Sequence, residues 1–270
     1  MNNKPIGVFD SGLGGLTAVK QIMKEFPNES VVYFGDTGRV PYGTKSPETI
    51  LQYTRDDINF VRSFDVKMII IACGTASSQA LPMVKYENED IPITGVVDAT
   101  VYAAVRATKN KKIGVIGTVG TIKSGAYEKL IYEYDKDIEI HKTACPLFVP
   151  LVETGHFDTP VTRLVIEEYL EQIRDAGVDT LILGCTHYPL LKKAIGEYMG
   201  DNVVLIDPCA EVVKYLKKKL GSDMLHSDTP DKEQYRYFVS DDPKGFAQNG
   251  SIFLEKEIDG QVEKIDIEKY

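Results

Sequence analysis

No apolar stretch in this 270-residue chain approaches the ~20 residues that cross a bilayer, which excludes a transmembrane helix. Basic residues are in deficit: 31 Lys and Arg stand against 40 Asp and Glu, for a net charge of −9. Phosphate backbones and anionic lipid are held by clustered Lys and Arg, so neither nucleic acid nor a membrane is expected as a main partner. The opening residues Met1-Asn2-Asn3-Lys4-Pro5 lack the apolar core of a secretion signal, and the expected compartment is the cytoplasm. Cysteine is scarce as well, at four residues. That is too few for a disulfide scaffold at this length, and free thiols are expected in a reducing compartment. No Cys-x-x-Cys turn is present to form a redox pair. No metal is expected either, because only Cys185 and His187 are close neighbours and no paired ligand knuckle occurs.

What is present is an ordinary globular composition, 43% apolar and 26% charged, in a chain long enough to bury a core without staples. Strand-like runs fall at Ile6–Phe9, Val31–Phe34, Val66–Ala72, Ile93–Val97, Lys112–Ile116, Ile138–Lys142 and Thr180–Leu183. Helical stretches lie between them, including Leu16–Glu25 and Glu48–Phe64. Near-continuous apolar runs suit strands covered on both faces, and strand–helix alternation suits parallel sheets with right-handed crossovers. The expected fold class is α/β.

An internal echo refines this. Ile6-Gly7-Val8-Phe9-Asp10-Ser11-Gly12 resembles Ile113-Gly114-Val115-Ile116-Gly117-Thr118, and Val66–Cys73 resembles Val178–Cys185 at nearly the same offset. Two matches nearly in register imply two related α/β halves, with one cysteine from each directed at a common cleft. The tail after Pro208 is less apolar and loop-rich, above all over Asp223–Asp231, and is expected to pack back on the first half.

Cys73 and Cys185 each follow a buried strand and precede an expected helix start at Thr75 or Thr186. Free amides and the positive helix end favour a thiolate there. A lone free cysteine is more often an inert small hydrophobe, but two at matched strand ends argue for a task. Two thiols facing one ligand suit proton transfer: inversion of a stereocentre needs one group to remove a proton and another to deliver one to the opposite face. Asp10-Ser11 and Thr186-His187 fall at the same strand ends, where Asp10 could steer an ammonium group or orient a thiol. His187 could tune the proton affinity of Cys185. Capping of the following turn is the plainer role for Asp10. Cys145 and Cys209 lack this placement and read as structural.

Two phosphate-like signals are weak. Gly12-Leu13-Gly14-Gly15-Leu16-Thr17 with Asp36 imitates a dinucleotide fingerprint, but Thr17 stands where the third glycine is needed. Gly117–Ser124 imitates a P-loop, but Ile122 replaces its second glycine. Tight turns whose amides hold a small carboxylate fit these glycines better.

Several ordered motifs coincide with one family. Gly7–Gly15, Tyr33-Phe34-Gly35-Asp36-Thr37, Val40–Ser46, Cys73-Gly74-Thr75-Ala76-Ser77, Cys145–Glu153 and Gly184–Leu191 together resemble the glutamate racemases, from residue 6 to Pro208, with Phe238–Pro243 also similar. The resemblance implies a cofactor-independent, metal-free enzyme that interconverts L- and D-glutamate by two bases and supplies D-glutamate for peptidoglycan. It implies that Cys185 takes the α-proton from L-glutamate and Cys73 from D-glutamate. Asp10 would assist Cys73 and His187 would assist Cys185, with Glu153 a further catalytic candidate beside His187. Ser11, Pro41, Tyr42, Gly43, Gly74, Thr75 and Thr186 match substrate-holding positions, as do Asp10 and His187, and Thr118 and Thr121 join them. A first domain of residues 1–96 plus 209–270, a second of 97–208, a cleft closing between them and a homodimer are further implications.

One departure stands out. The family carries Asn after the first cysteine where this chain has Gly74, which keeps the amide but loses a contact worth ~0.5–1.5 kcal/mol. Activity is expected to survive, with Gly74→Asn altering KM more than fold stability. Competing readings are an aspartate, hydantoin or maleate racemase or isomerase, and a non-catalytic amino-acid binding protein whose two lobes close on their ligand.

Overall fold

The computed structural model describes residues 3–219, 234–258 and 260–270. Strands β1 (Ile6–Asp10), β2 (Val31–Gly35), β3 (Met68–Ile71) and β4 (Ile93–Gly95) come first in the chain. β5 (Lys112–Gly117), β6 (Glu139–Ala144), β7 (Thr180–Leu183) and β8 (Val204–Ile206) follow, and β9 (Tyr235–Val239) and β10 (Val262–Lys264) close it. They form two sheets, ordered β10-β9-β2-β1-β3-β4 and β6-β5-β7-β8. Every pairing is parallel. All residues of β1, β2, β3 and β7 are buried, as near-continuous apolar runs require when helices cover both faces.

The internal echo has a topological counterpart. The order β2-β1-β3-β4 recurs as β6-β5-β7-β8. In each sheet the chain leaves the first strand on one side and returns on the other, so a crevice opens at the carboxyl ends of β1 and β3, and again at those of β5 and β7. Ser11 and Cys73 stand at the first crevice, and Thr118 and Cys185 at the second.

The tail does pack back on the first half. β9 pairs with β2 and β10 with β9, and helix Pro208–Lys219 packs on helices Leu16–Glu25 and Val96–Ala107, bridging the two sheets. Cys209, Val212, Val213 and Leu216 on that helix join a core shared with Val8 and Ile70 on one side and Leu181 and Leu183 on the other. The loop expected over Asp223–Asp231 falls outside the described residues. The strand expected to run to Val97 stops at Gly95, because the Ser77 hydroxyl receives the Val96 amide at 3.2 Å and the helix starts there.

Candidate active site

A cavity of about 270 Å³ opens between the two sets of strand ends. The first half lines it with Ser11, Pro41, Tyr42, Gly43, Cys73, Gly74 and Thr75, and the second with Thr118, Glu153, Cys185, Thr186 and His187. Of the residues expected from sequence, Asp10 and Thr121 stand behind this lining. Asp10 is fully buried, accepting from the Gly12 amide at 3.0 Å and the Thr186 hydroxyl at 3.3 Å. The Thr121 hydroxyl is buried against those of Thr118 at 3.0 Å and Thr75 at 3.5 Å.

Cys73 caps the short helix Gly74–Gln79, as its strand-end position suggested, and its sulfur lies 3.6 Å from the Ser11 hydroxyl. The expected thiolate does not follow. Burial and the nearby Asp10 charge outweigh the Ala76 amide and the Ser11 hydroxyl, and push the thiol up to about 12. Burial also raises Asp10, with the His187 charge and the Gly12 and Gly15 amides pulling the other way.

Cys185 differs from its sequence expectation in another way. No α-helix starts at Thr186; the chain turns, makes a 3-10 segment at Tyr188–Leu191 and enters a helix only at Lys192–Met199. In place of a helix dipole stands His187, whose Nδ1 is 3.8 Å from the Cys185 sulfur and whose Nε2 is 3.0 Å from Glu153 Oε1. Burial opposes the charged ring, but the sulfur and the carboxylate outweigh it and push His187 up to about 10. At neutral pH both ring nitrogens therefore donate, one toward the sulfur and one to Glu153.

Gly74 is a contact point between the halves. A Cβ on it would fall 2.4 Å from the Gly184 carbonyl oxygen, with backbone and no flexible side chain to yield. The missing side chain thus has a structural consequence that the expected KM effect left out: it lets the start of the Gly74–Gln79 helix touch the chain just before Cys185.

Comparison with known proteins fits this geometry. The Asp/Glu/hydantoin racemase family model matches residues 11–216. The chain belongs to that family. Within it, a glutamate racemase of Geobacter metallireducens is 45% identical over 265 residues, 98% of this chain and 97% of its own. One from Chlorobaculum tepidum is 44% identical over 257 residues, 95% and 94% of the two chains. The crystal structure of glutamate racemase from Francisella tularensis in complex with D-glutamate matches with a TM-score of 0.92 at 39% identity, covering 100% of both chains.

The racemase cavity also contains residues that sequence reasoning did not select. Gly12, Val40, Thr44, Val119, Cys145, Pro146, Val149 and Pro150 complete its wall. Their signal was adjacency: most flank Pro41–Gly43 or lie in the Cys145–Glu153 motif, from which only Glu153 was singled out. Cys145, read as lacking a strand-end position, directly follows β6, yet its sulfur faces the Thr143 carbonyl at 3.8 Å and burial holds it protonated. Among the described residues, no group of three or more His, Cys, Asp or Glu is placed to hold a metal ion, and no helix is long and apolar enough to cross a membrane.

Proposed function

We propose that this racemase interconverts L- and D-glutamate by proton transfer between two thiols, Cys73 and Cys185. The observation that carries the reading is their common exposure to one small cavity from the ends of two strands related by the internal repeat. In the L-to-D direction, Cys185 beside the His187 imidazolium takes the α-proton, breaking the Cα–H bond and leaving the electron pair on substrate. Cys73, which burial keeps protonated, delivers its proton to the opposite face. The thiols then hold each other's starting protonation states, which suits the reverse direction or relaxes by exchange with solvent.

Glu153 serves this scheme by holding the His187 ring, and Asp10 by holding Thr186 and the Gly12 turn. The hydroxyls of Ser11, Thr75 and Thr118 and the backbone of Gly43 offer donors for the substrate's carboxylates. An α-proton beside a carboxylate is very weakly acidic, so the carbanion-like state needs such donors in a pocket sheltered from water. The scheme calls on no cofactor or metal. The wider reading has residues 1–96 plus 209–270 and residues 97–208 closing as two domains, in a cytoplasmic homodimer that supplies D-glutamate for peptidoglycan.

The test is purified protein with L-glutamate in D₂O, followed by proton NMR at the α-position and circular dichroism. Deuterium incorporation with loss of optical activity is the expected result. Exchange with aspartate and none with glutamate would transfer the reading to an aspartate racemase. Binding of glutamate without exchange would make the chain a two-lobed binding protein.

A further inference from the structure

Tyr42 lines the cavity, yet its hydroxyl is committed elsewhere. Its oxygen lies 2.5 Å from Asp36 Oδ2 and 3.0 Å from Asp57 Oδ2, two carboxyl groups that are both fully buried. A phenol has one proton to donate. Two carboxylates cannot both receive it, so one of these contacts must run the other way, from a protonated carboxyl to the phenol oxygen.

The surrounding donors decide which. Asp36 receives the Arg39 Nε–H at 2.5 Å and the Ser240 hydroxyl at 2.8 Å as well as Tyr42. Among the described residues, Asp57, on helix Pro47–Arg62, receives a single N–H, from Arg39 Nη2 at 2.9 Å. The third Arg39 donor goes to Asp56, at 2.6 Å, and Asp56 also takes the Gln52 amide. Three carboxyl groups thus meet one guanidinium in a buried place, with Arg39 stacked 4.1 Å over the Tyr53 ring. Asp36 and Arg39 face Asp57 from the turn after β2, Tyr42 from the cavity loop, and Asp56 from its own helix. Burial and the Asp36 charge raise Asp57 well above the usual carboxyl range, against the pull of Arg39.

What this network holds is the Pro41–Thr44 segment. Val40, Pro41, Tyr42, Gly43 and Thr44 all line the cavity, and Gly43 abuts the opposite half so closely that a Cβ would lie 2.6 Å from Thr118 Cβ. A loop pinned at Tyr42 presents Gly43 to the cavity at a fixed depth.

The geometry points to Asp57 as a positioning residue of the racemase site: it keeps its proton, donates it to Tyr42, and so fixes the loop that presents Gly43 to substrate. The kinetic part of this inference rests on the glutamate reading above, while the proton on Asp57 does not.

The experiment compares Asp57→Asn, Asp57→Ala, Tyr42→Phe and Asp36→Asn with wild type. An asparagine amide can replace the carboxyl O–H toward Tyr42 while its carbonyl accepts from Arg39, so Asp57→Asn is expected to hold KM for glutamate within about two-fold. Asp57→Ala and Tyr42→Phe lose that bond and should raise KM about 3–10-fold with kcat little changed, the effect of one lost hydrogen bond. Asp36→Asn removes the anion that three donors serve and should raise KM at least as much. Tyr42→Phe keeps the buried ring, so its reading stands if Asp57→Ala fails to fold. Infrared difference spectra at neutral pH supply the activity-free measurement: a protonated-carboxyl C=O stretch, shifted in D₂O, should be present in wild type and lost in Asp57→Asn. Identical spectra for those two proteins, a KM in Asp57→Asn as high as in Asp57→Ala, or an unmoved KM in Tyr42→Phe would each overturn the assignment. A wild-type protein inert toward glutamate would sink the substrate reading instead, and the infrared difference would still decide the proton.

Discussion

Cys73 and Cys185 follow equivalent strands, β3 and β7, in the shared order β2-β1-β3-β4 and β6-β5-β7-β8, yet two residues further on the chain has Thr75 in one half and His187 in the other. The Thr75 hydroxyl turns to the Thr118 hydroxyl at 3.0 Å, whereas His187 brings a buried cation to its cysteine and is held by Glu153. One backbone plan therefore carries two electrostatic settings, one in which burial keeps the Cys73 thiol neutral and one in which a buried, charged imidazole faces the sulfur. The repeat supplies opposed positions, and the residues that differ between its copies give the two sulfurs different neighbours, which is the asymmetry the proposed two-base scheme draws on.

The comparison breaks most completely if either sulfur is removed. Cys73→Ser and Cys185→Ser should each lower kcat/KM by about 10³-fold, within the ~10²–10⁴-fold range of general acid–base groups, as followed by circular dichroism from both enantiomers. A variant that kept wild-type racemisation would leave the two-base scheme without support.

His187→Gln sharpens the comparison by removing the cation alone, and a fall of about 10–100-fold in kcat/KM is expected. Enantiomers have equal free energies, so that fall must be the same in both directions, and any asymmetry between the halves has to show in kcat and KM separately. The variant should also change alkaline stability. Folded His187 holds its proton to about 10, while an unfolded histidine loses it near ~6.5. Its stabilising contribution is full below about pH 6.5 and disappears as the pH rises toward 10. Thermal unfolding across that window should show Tm falling in wild type, with a shallower fall in His187→Gln.

Gly74→Ala tests the contact between the halves. The added methyl meets the Gly184 carbonyl and should part the cleft, raising KM about 3–10-fold at an overpacking cost of about 1–3 kcal/mol in stability. Unchanged KM together with unchanged Tm would mean that the close approach has no consequence. The smallest effect is expected for Ser11→Ala, which removes the hydroxyl 3.6 Å from the Cys73 sulfur. A two- to five-fold drop in kcat is the scale of one such bond, and steady-state kinetics would detect it.

The strands that bear the thiols were legible because they are continuous apolar runs ending in Cys, and a period that never alternates marks burial on both faces. β8 and β10, at three residues each, are too short to show any period, and Arg236 interrupts the apolar pattern of β9. Within the site, position along the chain located both cysteines, but at Cys73 the dipole argument counted local amides and left out desolvation by distant chain. Glu153 was visible only through the family resemblance, since nothing in its neighbours shows that a helix end will meet His187. Asp57 was invisible altogether: an acidic residue in an amphipathic helix reads as solvated surface until the fold places Tyr42 against it.

The seating of β9 beside β2 has a consequence for how the protein is made. Gly35 finds its partner Val239 only about 200 residues later, which at ribosomal rates of about 5–20 residues per second is ~10–40 s of synthesis. During that interval the β5–β8 sheet can complete all its pairings, while β2 emerges as an unfinished edge open to foreign strands. Truncated or stalled chains ending before β9 should therefore be the aggregation-prone species, and chaperone demand should concentrate on the half of the molecule that begins translation rather than on the half that finishes first.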